Sequence, residues 1–243
     1  MKSRSRNTWG YPRIAKKQNN PGNLQGCHFQ DRMEGLESNI ITDIKAQVRT
    51  PGRKSIFING EFRFGVSEET LLAFNLACGQ QLSSKQIEII QTHEEYENTR
   101  RKALHFLTIR MRSIKELSIY LHRHVDSDFT IQRVIEYCIE HNYVNDLDFA
   151  KAFTRDKLNL NRYGMLKIKS VLRQKGVSQQ IIDSILSDLI DDEDQVKLAK
   201  ELAVKKLKSV HDTRNLRAKM YRYLAQRGFR GDVIAQVLKG LIE

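Results

Sequence analysis

Proline is nearly missing from this 243-residue chain, and its placement already constrains the fold. All three prolines lie at or before Pro51, so no later helix must bend or stop at a pyrrolidine ring. Cysteine is equally scarce. Cys27, Cys78 and Cys138 are odd in number and far apart, which excludes a disulfide framework and a CxxC metal site. The expectation is a reduced, cytoplasmic protein. No apolar run approaches the roughly 18 residues of a membrane span. The opening MKSRSRNTWGYPRIAKKQNNPGN starts with cations but lacks the apolar centre of a signal peptide. The patterns GxxxxGK[ST], GxGxxG, GxSxG and HExxH are all absent, so nucleotide, acyl-transfer and zinc chemistry have no visible seat. His122 and His124 stand two apart, a spacing that points them in different directions on a helix. The expectation is therefore a protein that is not an enzyme and holds neither metal nor cofactor.

What the chain does have is positive charge, unevenly spread. The formal net charge is +12. Residues 1–54 carry 11 cations against 4 anions, 55–98 carry 2 against 7, and 99–145 carry 8 against 5. Residues 146–193 balance at 8 each, and 194–243 carry 12 against 5. Both ends are basic and attract polyanions or acidic partners.

Residues 1–40 read as a basic, disordered tail, polar and without a period of 2 or 3.6 that could bury a face. A hairpin-and-helix region, 41–98, follows. IFI and FRF flank Asn59-Gly60, the dipeptide of a type I′ hairpin. SEETLLAFNLAC reads as a helix with Ser67 as N-cap and Gly79 as its stop. Ser83 with Gln86 forms a capping box that opens a helix running to about Leu107.

Beyond it, three segments superimpose by eye. Leu117, Ile168 and Met220 align, as do Leu121, Leu172 and Leu224 one helical turn on. LRQKGV at 172–177 returns as LAQRGF at 224–229. Gly176 and Gly228 sit where a helix ends and the chain turns through positive φ, with Val177 and Phe229 as hydrophobic clasps. Ile181, Ile182, Ile185 and Leu186 then match Val233, Ile234, Val237 and Leu238. In the first copy, a longer turn (HVDSDFT) replaces the glycine, and the stripe is Ile131, Val134, Ile135, Cys138 and Ile139. The period of roughly 50 residues marks tandem helical units that stack on their neighbours. They divide as 99–145, 146–193 and 194–243. The fold class is mainly α: three tandem three-helix units after a small β-hairpin plus helix.

SIKELSIYL, RVIEYCIEHNYVNDLDFA, RYGMLKIKSVLRQKGVS and KMYRYLAQRGF resemble, in order and spacing, the RecX family of recombinase regulators. The likeness covers residues 100–240, and 44–98 is similar to the N-terminal extension of longer members. One departure is Asn142, where the family usually has glycine; asparagine suits a left-handed cap next best. The resemblance implies a curved, elongated array of the three units. It also implies a monomeric partner of RecA protein and the RecA–DNA filament that lowers recombinase, ATPase and coprotease activity in recombination, repair and the SOS response.

The residues that could carry such contacts are cations repeated beside the apolar stripes. The first unit supplies Arg110, Arg112 and Lys115; the second Arg162, Lys167, Lys169, Arg173 and Lys175; the third Arg217, Lys219, Arg222 and Arg227. Aligned on one side, they make a continuous basic stripe. The competing reading is a directly DNA-binding protein that holds phosphates through its tail and basic helical faces. Tyr163 and Gly164 read as packing at a helix entry, Tyr143 as a core aromatic, and Asp146 as the cap of DLDFAKAF. The run Asp191 to Asp194 reads as linker and helix cap.

Overall fold

The structure, a computed structural model, describes residues 39–48, 50–209 and 215–242. Most of the expected basic tail lies outside the described residues. The chain forms two compact units, divided after Glu95.

The first unit is built on an antiparallel sheet of order β3-β2-β1-β4. Its strands are β1 (Asn39–Ala46), β2 (Arg53–Ile58), β3 (Glu61–Ser67) and the two-residue β4 (Gln81–Leu82). Asn59 (φ 54°) and Gly60 (φ 87°) turn β2 into β3, the two left-handed positions that a type I′ turn requires. Ile41, Ile56, Ile58, Phe64 and Val66 bury the sheet face against Leu76, Ile87 and Ile90. The Glu94 carboxylate accepts from Arg53 at 2.7 Å, the Ser67 N–H at 2.8 Å and the Ser67 hydroxyl at 3.0 Å.

Helix α1 (Glu68–Ala73) starts on Ser67 as expected but is half the length that the sequence suggests. Asn75 takes φ 49° and ends it early, which lets Leu76 turn into the sheet core. Gly79 (φ 82°) therefore does not stop a helix. Its N–H bonds to the Ile41 carbonyl at 2.8 Å and leads the chain into β4. Helix α2 (Ser84–Thr108) opens on the expected box, with Ser83 N–H to Gln86 at 2.7 Å and the return bond at 3.2 Å.

The second unit holds three helical sets. The end of α2 packs with α3 (Ile114–His122) and α4 (Asp128–Glu140). Then come α5 (Asp146–Asn159), α6 (Met165–Gln174) and α7 (Gln179–Leu189), and α8 (Asp192–Leu207), α9 (Leu216–Arg227) and α10 (Gly231–Ile242). Leu117, Leu121, Ile168, Leu172, Met220 and Leu224, the aligned positions, are all buried. Removing one such leucine to alanine costs about 2–5 kcal/mol.

Three expectations need correction. Ile139 is 44% exposed and outside the stripe: in the last turn of α4 it is Cys138 that enters the core, and Ile139, one residue on, is turned about 100° away from it. Tyr143 is 50% exposed, and Val144 fills the core in its place. Asn142 does adopt φ 56° there, and the turn it makes carries Tyr143 out to stack beside His141. Asp146 is not the cap of α5: that is Asn145, whose side-chain Oδ1 accepts from Leu147 and Asp148 N–H.

Candidate functional site

The corners that repeat in the sequence are also the joints between helical units. At Gly176 (φ 85°) the Val177 N–H reaches back to the Leu172 carbonyl at 3.1 Å, and at Gly228 (φ 89°) Phe229 reaches Leu224 at 3.2 Å. Both clasps, Val177 and Phe229, are buried. Each corner then docks on the start of the corresponding helix in the preceding unit. Gly164 N–H donates to the Arg227 carbonyl at 2.8 Å and Leu166 N–H to the Gly228 carbonyl at 2.9 Å. At the other joint the Ser113 hydroxyl donates to the Lys175 carbonyl at 2.7 Å while accepting from Glu116 N–H at 3.2 Å. The negative end of one helix thus meets the positive end of another, α9 on α6 and α6 on α3. Terminal N–H and C=O groups satisfy each other directly at the α9–α6 joint, and through the Ser113 hydroxyl at the α6–α3 joint.

Side chains from the following unit complete these helix starts. Asp146, first residue of α5, accepts from Ile114 N–H at 2.9 Å, and buried Gln195 of α8 accepts from Met165 N–H at 3.0 Å. Asp146 therefore caps α3, not its own helix. Burial raises its carboxyl pKa, against the pull of the Ile114 N–H.

Five candidate cations turn out to cross these joints. Lys115 donates to the Gln174 carbonyl at 3.1 Å, Lys167 to Gln226 at 3.4 Å, and Arg227 to Asn161 at 3.2 Å. Arg162, held at φ 52°, bonds to Glu201. Lys175 reaches Glu116 at 2.5 Å, and Arg110 meets the same carboxylate at 3.0 Å. Burial alone would raise the Glu116 carboxyl; Arg110, Lys175 and the Ser113 N–H outweigh it and bring the pKa down to about 2.

Lys169, Arg173, Arg112 and Arg222 bond or stack within their own units. Lys169 pairs with Asp183 at 2.7 Å, and Arg173 donates to Gln179 at 2.8 Å, so both lie over the start of α7. Arg112 stacks on Phe106 at 4.3 Å with its buried Nε lacking a hydrogen-bond partner. Arg222 bonds back to the Ala218 carbonyl at 3.3 Å. Arg217 is exposed and Lys219 half-buried in the first turns of α9. Of the twelve cations, five thus cross the joints, five lie on α6 and α9 without crossing them, and Arg110 and Arg112 serve the first unit through Glu116 and Phe106. Tyr163 packs on the second core beneath the Lys167 ammonium, 4.3 Å from its ring centre. Asp191 precedes α8 with three acids in the first turn, and Arg230 meets Asp192 at 3.1 Å. The Cys138 thiol is pushed up to about 11 by burial, which keeps it protonated.

Three stretches match family models: Regulatory protein RecX N-terminal domain over residues 39–83, the second three-helix domain of RecX over 145–186, and the third over 192–238. A Clostridioides difficile (strain 630) protein named Regulatory protein RecX is 31% identical over 205 residues, covering 84% of this chain and 96% of that one. The chain belongs to the RecX family.

A RecX of Clostridium beijerinckii is 29% identical over 203 residues, covering 82% of this chain and 94% of its own. A solved structure titled Crystal structure of regulatory protein RecX superimposes with a TM-score of 0.65 at 27% identity. It spans 83% of this chain and 99% of its own. The second match, 145–186, begins at the cap of α5, and the third, 192–238, begins with α8. The role that goes with the RecX name is regulatory. No helix among the described residues is long and apolar enough to cross a membrane.

Proposed function

We propose that this RecX-family chain binds RecA protein and the RecA–DNA filament and lowers recombinase, ATPase and coprotease activity. It acts in the cytoplasm, as a monomer, without cofactor. The observation that carries the reading is family membership extending across the N-terminal, second and third helical domains. The joints add a physical reason. A regulator that lies along a repeating filament needs its contact points at fixed spacing, and here helix ends are bonded to helix starts at both boundaries. In this reading Lys115, Arg162, Lys167, Lys175 and Arg227 hold the spacing. Lys169, Arg173, Arg217, Lys219 and Arg222 face the filament.

The test is the single-stranded-DNA-dependent ATPase of RecA, titrated with the full chain and with a chain lacking residues 1–38, a cut that leaves β1 whole. Both are expected to lower ATPase at stoichiometric amounts. The reading fails if neither does. The second reading, direct DNA binding, draws on the net charge of residues 194–243, 12 cations against 5 anions.

A further inference from the structure

The outer face of α8 carries cations that neither the joints nor the repeated stripes use. Lys197, Lys200, Lys205 and Lys208 line an open groove of about 530 Å³ together with Glu201 and Val204. All six are exposed, Val204 at 38%. At 1.5 Å per residue, Lys197 to Lys208 spans about 16 Å along the helix. Lys197 meets only Asp194 at 3.4 Å, on a pair whose side chains are 68% and 73% exposed. Such a pair binds weakly. The single anion in the row, Glu201, is already taken by Arg162 from across the joint, so the row is cationic without a counter-charge of its own. The favourable field at a helix C-terminus accounts for Lys205 and Lys208 but not for Lys197 and Lys200, which lie in the middle of α8, outside its last turn.

We infer that this face of α8 is a binding strip for the phosphates of a single-stranded nucleic acid, independent of RecA. Four features select that occupant. Lysines are point charges on flexible stems; they take successive phosphates in any orientation, where paired arginines would favour the planar fork of a carboxylate. The charges form a band that follows the helix axis, the direction a strand backbone would take across it. Val204 lies between Lys200 and Lys205 and offers an apolar floor to sugar or base. No arginine, asparagine or glutamine, the side chains that fork onto a base edge, lines the groove, so contact is expected mainly through phosphates and with little sequence dependence. The strip rests on the direct DNA-binding reading and places it on α8; it differs from the α6 and α9 cations assigned to the filament, and its test omits RecA so that it and the filament reading succeed or fail separately.

The experiment measures fluorescence anisotropy of labelled oligo(dT) with the full chain between 50 and 200 mM salt. For single strands, log affinity falls against log salt with a slope of about −0.7 per phosphate contacted. The triple variant Lys200→Gln/Lys205→Gln/Lys208→Gln is expected to flatten that slope by about 2. Across this fourfold range the wild type then loses about 20-fold more affinity than the variant. The thermal melt should not move, since all three side chains are exposed. Should the triple variant fail to fold, Lys200→Gln alone is expected to flatten the slope by about 0.7. An unchanged slope, or no binding by the wild type, overturns the strip. So does displacement of the DNA by poly-L-glutamate as readily as by unlabelled strand, which would make the partner an acidic protein.

Discussion

Gly164→Ala is expected to destabilise the helical region by about 2–4 kcal/mol and to divide its unfolding into separate steps. Gly164 has an ordinary φ of −74°, so alanine meets no backbone strain, and the whole cost comes from proximity. Its Cβ would lie 2.4 Å from the Gly228 carbonyl carbon and oxygen and 2.5 Å from Phe229 N. Those atoms are backbone and cannot rotate away, so α6 and the α9 corner must part. With them go the bonds from Gly164 N–H and Leu166 N–H, worth about 1 kcal/mol each. Gly228→Ala should cost at least as much, because it adds the left-handed φ of 89° to a contact of 2.4 Å with Lys167 N. Gly240→Ala is the opposite control. Nothing lies within 4 Å of its new methyl, and replacing glycine inside a helix gains about 0.5–1 kcal/mol. Thermal melts check all three. A Gly164→Ala protein that melts like the wild type would mean that the joint does not hold the units.

The second large effect falls on Glu116. Its carboxylate is the meeting point of Arg110, Lys175 and the Ser113 N–H, a charge network with only 16% of the glutamate side chain exposed. The folded pKa of about 2 lies below the ordinary value of 4.5. The carboxylate therefore contributes its full stability above pH 4.5 and loses it as the pH falls toward 2. Because Arg110 and Lys175 are 48% and 33% exposed, the contribution is on the order of 2 kcal/mol after screening. Glu116→Gln should be weaker than the wild type by that amount at pH 7, and the two should converge near pH 2. Denaturant titrations at pH 7, 4.5 and 2 measure the difference. Asp146, with its pKa raised, moves the other way in both proteins and cancels from the comparison. A constant gap across the three pH values would remove the ion-pair explanation.

The repeated corner shows both how far the sequence could be read and where the reading stopped. LRQKGV and LAQRGF disclosed the helix stops and clasps because each is local: a glycine, a following apolar residue, an apolar stripe on either side. Their use as joints was not legible, since it depends on residues about 60 positions apart, such as Gly176 against Lys115 and Gly228 against Lys167. Asp146 illustrates the same limit. An acid in the first turn of its own helix looks like a cap, and only the docking of α5 beside α3 shows that it caps Ile114. Tyr143 was misplaced because aromatic character says nothing about which of two adjacent apolar residues, Tyr143 or Val144, turns inward. Among the cations, sequence located the charges but not their partners. A lysine beside an apolar stripe reads the same whether it faces solvent or fastens a neighbour, and Lys175 and Arg173, two residues apart, do one each. The α8 lysines were passed over because the aligned apolar stripes and corners lie on the second and third helices of each unit, and α8 is a first helix.

The division of labour between joint and surface cations is most directly tested with Lys169→Glu/Arg173→Glu. Both residues bond to α7 side chains of their own unit, so the double variant should keep its joints, with only the modest loss of one partly exposed ion pair in its melt. Its half-inhibitory concentration in the RecA ATPase titration is expected to rise at least about tenfold, equivalent to 1.4 kcal/mol of lost binding. Superimposable titration curves for variant and wild type would contradict the assignment of this face to the filament.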